Sequence, residues 1–101
     1  MDEPTTATTP DEAASLPVVT VRYWAAARAA AGVSEERLSG ATLAAVLDEA
    51  RKAHSSQPRF GSVLTACSFL VGDVPVGSRD PSTVGVQDGD VVEALPPFAG
   101  G

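Results

Sequence analysis

Two periods organise the chain. Residues 18–24 are β-branched and aromatic. Val19, Val21 and Tyr23 fall on one face, with Val18, Thr20, Arg22 and Trp24 on the other. That alternation predicts a strand, and its only partly polar second face suits a central position. Residues 25–31 are alanines broken by Arg28 and followed by Gly32, a pattern for a short helix with a glycine C-cap. Residues 34–38 are a weaker strand candidate, pairing back on the first. The clearest helix runs over 42–54, where Leu43, Val46, Leu47 and Ala50 repeat at helical spacing. Thr42 serves as N-cap, and Arg51, Lys52 and His54 gather where the dipole favours positive charge. Pro58 and the residues before it end that helix.

Beyond it, residues 60–64 read as a short helical or irregular segment and 66–71 as a strand. Gly72-Asp73 is a turn. Residues 74–76 form an edge strand, because Pro75 cannot donate to a ladder. Residues 80–83 read as a turn or single helical turn, and 87–90 as a tight turn. Residues 91–95 form the last strand, with Val91, Glu93 and Leu95 alternating against Val92 and Ala94. This order predicts an α+β fold, a mixed sheet with one main helix packed on one face. The first and last strands are the most hydrophobic, which places them side by side at the centre. The expected domain spans 17–95, preceded by a disordered acidic extension over 1–16 and followed by a flexible tail over 96–101.

Composition narrows the function. With 101 residues, 44% of them hydrophobic, one modest core is expected. The net charge is −6 from thirteen acids and seven bases. Four of the acids (Asp2, Glu3, Asp11, Glu12) precede residue 17, where there is no Lys or Arg, so the remaining nine acids and seven bases leave only −2. An acidic chain without a basic cluster argues against nucleic acid and anionic membrane as partners. The single cysteine, Cys67, allows no internal disulfide. No signal peptide and no apolar run of about 20 residues is present, so a cytoplasmic location is expected.

The chemistry points to the end of the chain. After Leu95 come Pro96, Pro97, Phe98, Ala99, Gly100 and Gly101. Two prolines stiffen the exit and stop further strand pairing. A terminal Gly-Gly arises by chance in roughly 0.5% of chains at average glycine usage, so its position after a strand and a rigid spacer gives it weight. A carboxylate is a poor electrophile until adenylation removes its charge and supplies a leaving group. Sulfur can then attack to leave a thiocarboxylate. Glycine fits a narrow channel and leaves the carbonyl under attack uncrowded.

The order of elements, the segment Val86-Gln87-Asp88-Gly89-Asp90-Val91-Val92 and the ending Leu95-Pro96-Pro97-Phe98-Ala99-Gly100-Gly101 resemble the MoaD/ThiS family of ubiquitin-like, β-grasp sulfur carriers over about residues 17–101. The Pro-Pro ending is most similar to small subunits of molybdopterin synthase. The resemblance implies that an E1-like adenylating and sulfurating enzyme activates the Gly101 carboxylate with ATP, that the carrier itself binds no cofactor or metal, and that the tail then enters the large synthase subunit to supply sulfur for molybdopterin. Gly101 would be the reacting residue, with Pro96, Pro97, Phe98, Ala99 and Gly100 in the partner's channel. Phe98 departs from the small aliphatic residue expected after Pro-Pro, and the acidic extension lies outside the family pattern.

Other features are weighed against plainer explanations. Cys67 fits a buried structural thiol, His54 a helix C-terminus, and Asp88 with Asp90 a turn rather than a metal pair. Gly72 and Gly77 form no phosphate-binding pattern. Phe69, Leu70, Val71, Val92 and Leu95 are candidates for an apolar docking surface, and alternation leaves open which of them face the helix. Sulfur delivery to thiamine, cysteine or another thio-product, a ubiquitin-like protein modifier, and an interaction module whose Gly-Gly is incidental all stay open.

Overall fold

The computed structural model describes residues 16–97; the acidic extension expected over 1–16, all but its last residue, and the expectations for residues 98–101 lie outside them. The elements are β1 (Val18–Tyr23), α1 (Ala25–Ala31), β2 (Glu35–Ser39), α2 (Leu43–Ala53), α3 (Phe60–Ala66), β3 (Ser68–Val71), β4 (Val74–Pro75), a 3₁₀ turn (Pro81–Thr83) and β5 (Val91–Leu95). The sheet order is β2-β1-β5-β3-β4. β1 and β5 are neighbours and parallel, while β2, β3 and β4 join antiparallel. This is the mixed sheet of a ubiquitin-like β-grasp, with the two most hydrophobic strands adjacent.

The alternation read from β1 is the one observed. Val19, Val21 and Tyr23 are buried, as are Val92 and Ala94 of β5. Above them lies the apolar stripe of α2, in which Leu43, Val46, Leu47 and Ala50 are buried. Thr42 caps this helix, its Oγ1 accepting from the Ala45 amide at 3.2 Å. α1 ends at Gly32, whose φ of 78° is the left-handed conformation that glycine adopts without steric cost.

The boundary between α3 and β3 differs most from the sequence reading. Residues 66 and 67 are not strand: Ala66 closes α3 and Cys67 links it to β3. Phe60 and Leu64, four apart on α3, are both buried, and that shared helical face outweighs the strand-like run that follows. Pro75 occupies the edge strand β4, opposite Leu70. Gly72 and Asp73 both have positive φ, 55° and 70°, as a tight two-residue hairpin requires. Among the described residues no helix is long and apolar enough to cross a membrane.

Candidate functional site

The exit of β5 builds the site. β5 lies between β1 and β3, so its C-terminal end is held from both sides. The Trp24 amide donates to the Ala94 carbonyl at 3.2 Å, and Leu95 pairs with Ser68. Pro96 and Pro97 follow without amide hydrogens, so the ladder cannot continue. Pro97 is exposed. The chain therefore leaves the domain from a fixed point beside α1 and α3. Pro96 and Pro97 share an apolar groove there with Ala26, Ser62, Val63 and Ala66. Phe98, Ala99, Gly100 and Gly101 lie outside the described residues, and their expected roles belong to the proposal below.

The five residues singled out for docking divide between the faces of the sheet. Val92 is fully buried on the α2 side. Phe69 and Val71 pair with Ala94 and Val92, which places them on that same side, where both pack against the core. A docking role for Val92 is thus corrected, and Phe69 and Val71 are mainly core-packing residues. The reason is register: a strand's side chains alternate, so one pairing decides the face of all of them. Leu95 falls on the open face with Val91 and Glu93, and Leu70 opposite Glu93 joins them.

The open face also carries a group that the sequence reading did not single out. Trp24 is 44% exposed, and its indole Nε1 donates to Glu93 Oε1 at 3.0 Å. The Arg22 guanidinium lies 5.9 Å from the Trp24 ring centroid and 3.4 Å from Glu35. The signal was present in the strand alternation, which put Arg22 and Trp24 on the second face of β1. Their partners came from β2 and β5 and depended on register.

The remaining candidates resolve into structural roles. Asp88 Oδ1 accepts from the Val18 amide at 2.8 Å and Asp90 Oδ2 from the Gln87 amide at 2.8 Å, so both carboxylates hold the turn. His54 is buried. Its Nε2 meets Glu36 Oε2, its Nδ1 meets Gln57 Oε1, and the Tyr23 hydroxyl donates to that same Glu36 oxygen at 2.6 Å. Gln57 closes the network by donating to the Ala31 carbonyl at 2.8 Å. Burial, the hydrogen bond to Glu36 and the Glu36 charge, in that order, raise the Tyr23 hydroxyl well above its ordinary range. Cys67 is partly buried, its thiol lies 3.3 Å from the Val63 carbonyl, and burial pushes it up to about 11. A thiol held protonated is a poor nucleophile. Among the described residues no cluster of three or more His, Cys, Asp or Glu could hold a metal.

Comparisons agree with this geometry. The small archaeal modifier protein 1 of Methanosarcina acetivorans superposes with a TM-score of 0.70 at 23% identity, over 85% of this chain and 98% of that one. A molybdopterin converting factor subunit 1, described as putative, from Pyrococcus furiosus gives 0.65 at 26% identity, over 81% of this chain and 99% of that one. A chain of the Amycolatopsis orientalis BexX/CysO complex gives 0.65 at 25% identity, over 82% of this chain and 99% of that one. No curated protein matches the sequence. The sequence model of the ThiS family matches residues 21–101, the domain and tail together, and on that ground the chain belongs to the ThiS family of ubiquitin-like sulfur carriers.

Proposed function

We propose that this chain carries sulfur as a thiocarboxylate on Gly101 and delivers it for molybdopterin synthesis, as the small subunit beside a catalytic large subunit. The observation that carries the reading is the exit of β5: a central strand ends at Leu95, Pro96-Pro97 stops the ladder, and four residues later the chain finishes in Gly-Gly. The likeness to the Pyrococcus converting-factor subunit supports the choice of pathway. In the first step a Gly101 carboxylate oxygen attacks the α-phosphorus of ATP in an adenylating E1-like enzyme, and pyrophosphate leaves. In the second, a sulfide equivalent attacks the acyl carbon, AMP departs and the thiocarboxylate remains. The chain supplies a reach and an uncrowded carbonyl; the catalytic groups are the partners'. Pro96 to Gly100 occupy the partner's channel, and the protein works in the cytoplasm.

The test is intact-mass measurement of the full chain after incubation with the adenylating enzyme, ATP and sulfide. It is followed by mixing with the large synthase subunit and the pterin precursor. A mass gain equal to sulfur replacing oxygen, lost when Gly101 is deleted, establishes the carrier. Dithiolene formation on the pterin establishes the pathway. A second reading, delivery to another acceptor, is favoured by the likeness to a chain of the BexX/CysO complex. It prevails if the thiocarboxylate forms but the pterin stays unsulfurated. An unchanged mass overturns both.

A further inference from the structure

The corner where β1 passes into α1 holds a charged hollow that the chemistry of the tail leaves unused. It measures about 150 Å³ and is lined by Arg22, Tyr23, Trp24, Arg28, Ser34 and Glu35. Backbone pairing brings these residues together. The Tyr23 amide donates to the Ser34 carbonyl at 2.8 Å, which sets the start of β2 against the end of β1. The Arg28 amide donates to the Trp24 carbonyl at 3.3 Å, so the first turn of α1 returns Arg28 to the same corner. The hollow has two guanidiniums to one carboxylate, and the carboxylates at this corner are already engaged. Glu35 pairs with Arg22 at 3.4 Å. Glu93 accepts from the Trp24 indole at 3.0 Å. Arg28 is exposed and makes no ion pair among the described residues. The hollow thus keeps one uncompensated positive charge on a chain whose net charge is −6. Asp73, Asp88 and Asp90 lie at the opposite end of the sheet, where Val71 pairs with Val92 and Thr20 with Val91.

We propose, resting on the carrier reading, that this hollow receives an aspartate or glutamate carboxylate of the adenylating enzyme, with Arg28 as its ion partner and the Trp24 ring beside its methylene stem. Position selects the partner. The Trp24 amide donates to the Ala94 carbonyl at 3.2 Å, one residue before β5 ends. A protein that encloses the chain beyond Leu95 therefore also covers this corner. Activation is the step that every sulfur acceptor shares, so the surface serves the adenylating enzyme whichever acceptor follows. Charge selects the group. The planar fork of a guanidinium donates two parallel N–H bonds to a carboxylate, a geometry that an ammonium cannot match. Arginine and tryptophan are also the residue types on which binding energy concentrates when a partner covers them. The Arg22 guanidinium, 5.9 Å from the Trp24 ring centroid, and the indole bond to Glu93 hold that ring in place before the partner arrives.

Trp24 is the single tryptophan of the chain, so a fluorotryptophan label gives one fluorine NMR signal at the hollow. The full chain carrying that label is titrated with unlabelled adenylating enzyme, without ATP or sulfide. The signal should shift to saturation. Arg28→Gln should weaken binding at least about tenfold and flatten its dependence on ionic strength, while Asp73→Asn, at the far end of the sheet, should bind as the unchanged chain does. Arg28→Glu should lose binding, and one Asp→Lys or Glu→Lys change at the mouth of the enzyme's channel should restore it. Unchanged affinity of Arg28→Gln overturns the proposal, as does failure of every such reversal to restore Arg28→Glu. A fluorine signal that moves with the concentration of the chain alone also overturns it, and assigns the hollow to a second copy. The mass gain with ATP and sulfide at saturating enzyme is read separately. If it occurs normally while Arg28→Gln binds as the unchanged chain does, this proposal alone fails; if the unchanged chain neither binds nor gains mass, the carrier reading fails with it.

Discussion

Ala25 is a non-glycine residue at φ 48°, placed where β1 turns into α1 at the end of the domain from which the tail leaves. An L-residue in the left-handed region costs about 1–2 kcal/mol, whereas glycine costs about 0.5–1 kcal/mol in lost chain freedom. Ala25→Gly should therefore stabilise the domain by about 0.5–1 kcal/mol, read as a higher midpoint in urea. A lower midpoint would mean that the methyl packs favourably enough to outweigh the strain. Tyr23 and Cys67 predict alkaline behaviour. Both protons are held more tightly in the folded domain than in the unfolded chain, whose ordinary values are 10.0 and 9.0. Above those values the unfolded chain releases protons that the folded one keeps, so stability falls as pH rises. The loss should begin near pH 9 and, for Cys67, be complete near 11. Urea titrations across this window should show a shallower decline for the double variant Tyr23→Phe, Cys67→Ala; an identical decline would leave both groups uninvolved.

At the scale of elements, the sheet depends on how α2 is set down on it. Thr42 satisfies an amide of the first turn with its hydroxyl, and Thr42→Ala should cost about 1 kcal/mol. Two residues earlier, Gly40 passes so close to α2 that an added Cβ would lie 2.9 Å from the Val46 backbone nitrogen and 3.0 Å from Ala45 Cβ. A helix backbone cannot yield as a side chain can, so Gly40→Ala should cost about 1–3 kcal/mol through displacement of the helix start. Thermal melts of the two variants check this: Gly40→Ala should melt below Thr42→Ala, and the reverse order would show that the loop before α2 relaxes freely.

For the whole molecule, the proposed function divides the work between the folded domain and the end of the chain. Among the described residues the core runs continuously through β1, α1, α2, α3 and β5. Deleting Gly101 should leave the melting temperature and the amide spectrum of residues 16–97 nearly unchanged while abolishing the mass gain from sulfuration. A large fall in melting temperature would instead make the terminus part of the fold.

Much of this architecture follows from local patterns. Alternation in β1 and β5, helical spacing in α2 and the Thr42 cap act between residues a few positions apart, so they can be read without knowing what packs where. The Pro-Pro exit and the Gly-Gly end are likewise statements about covalent chemistry. What the sequence could not decide were relations between distant segments. Whether Phe69 and Val71 face α2 or solvent depends on their pairing with β5, because a slip of one residue would reverse both. That His54 meets Tyr23, Glu36 and Gln57, rather than only ending a helix, depends on β1, β2 and the turn after α2 converging. The groove beside the β5 exit arises from how α1 and α3 pack, which the alanines permit but do not dictate. The sequence by itself determined the elements, the central place of β1 and β5 and the Gly-Gly ending on which the proposed chemistry rests. Only the tertiary structure decided which faces are buried and which charges meet, because those depend on register and packing across the chain.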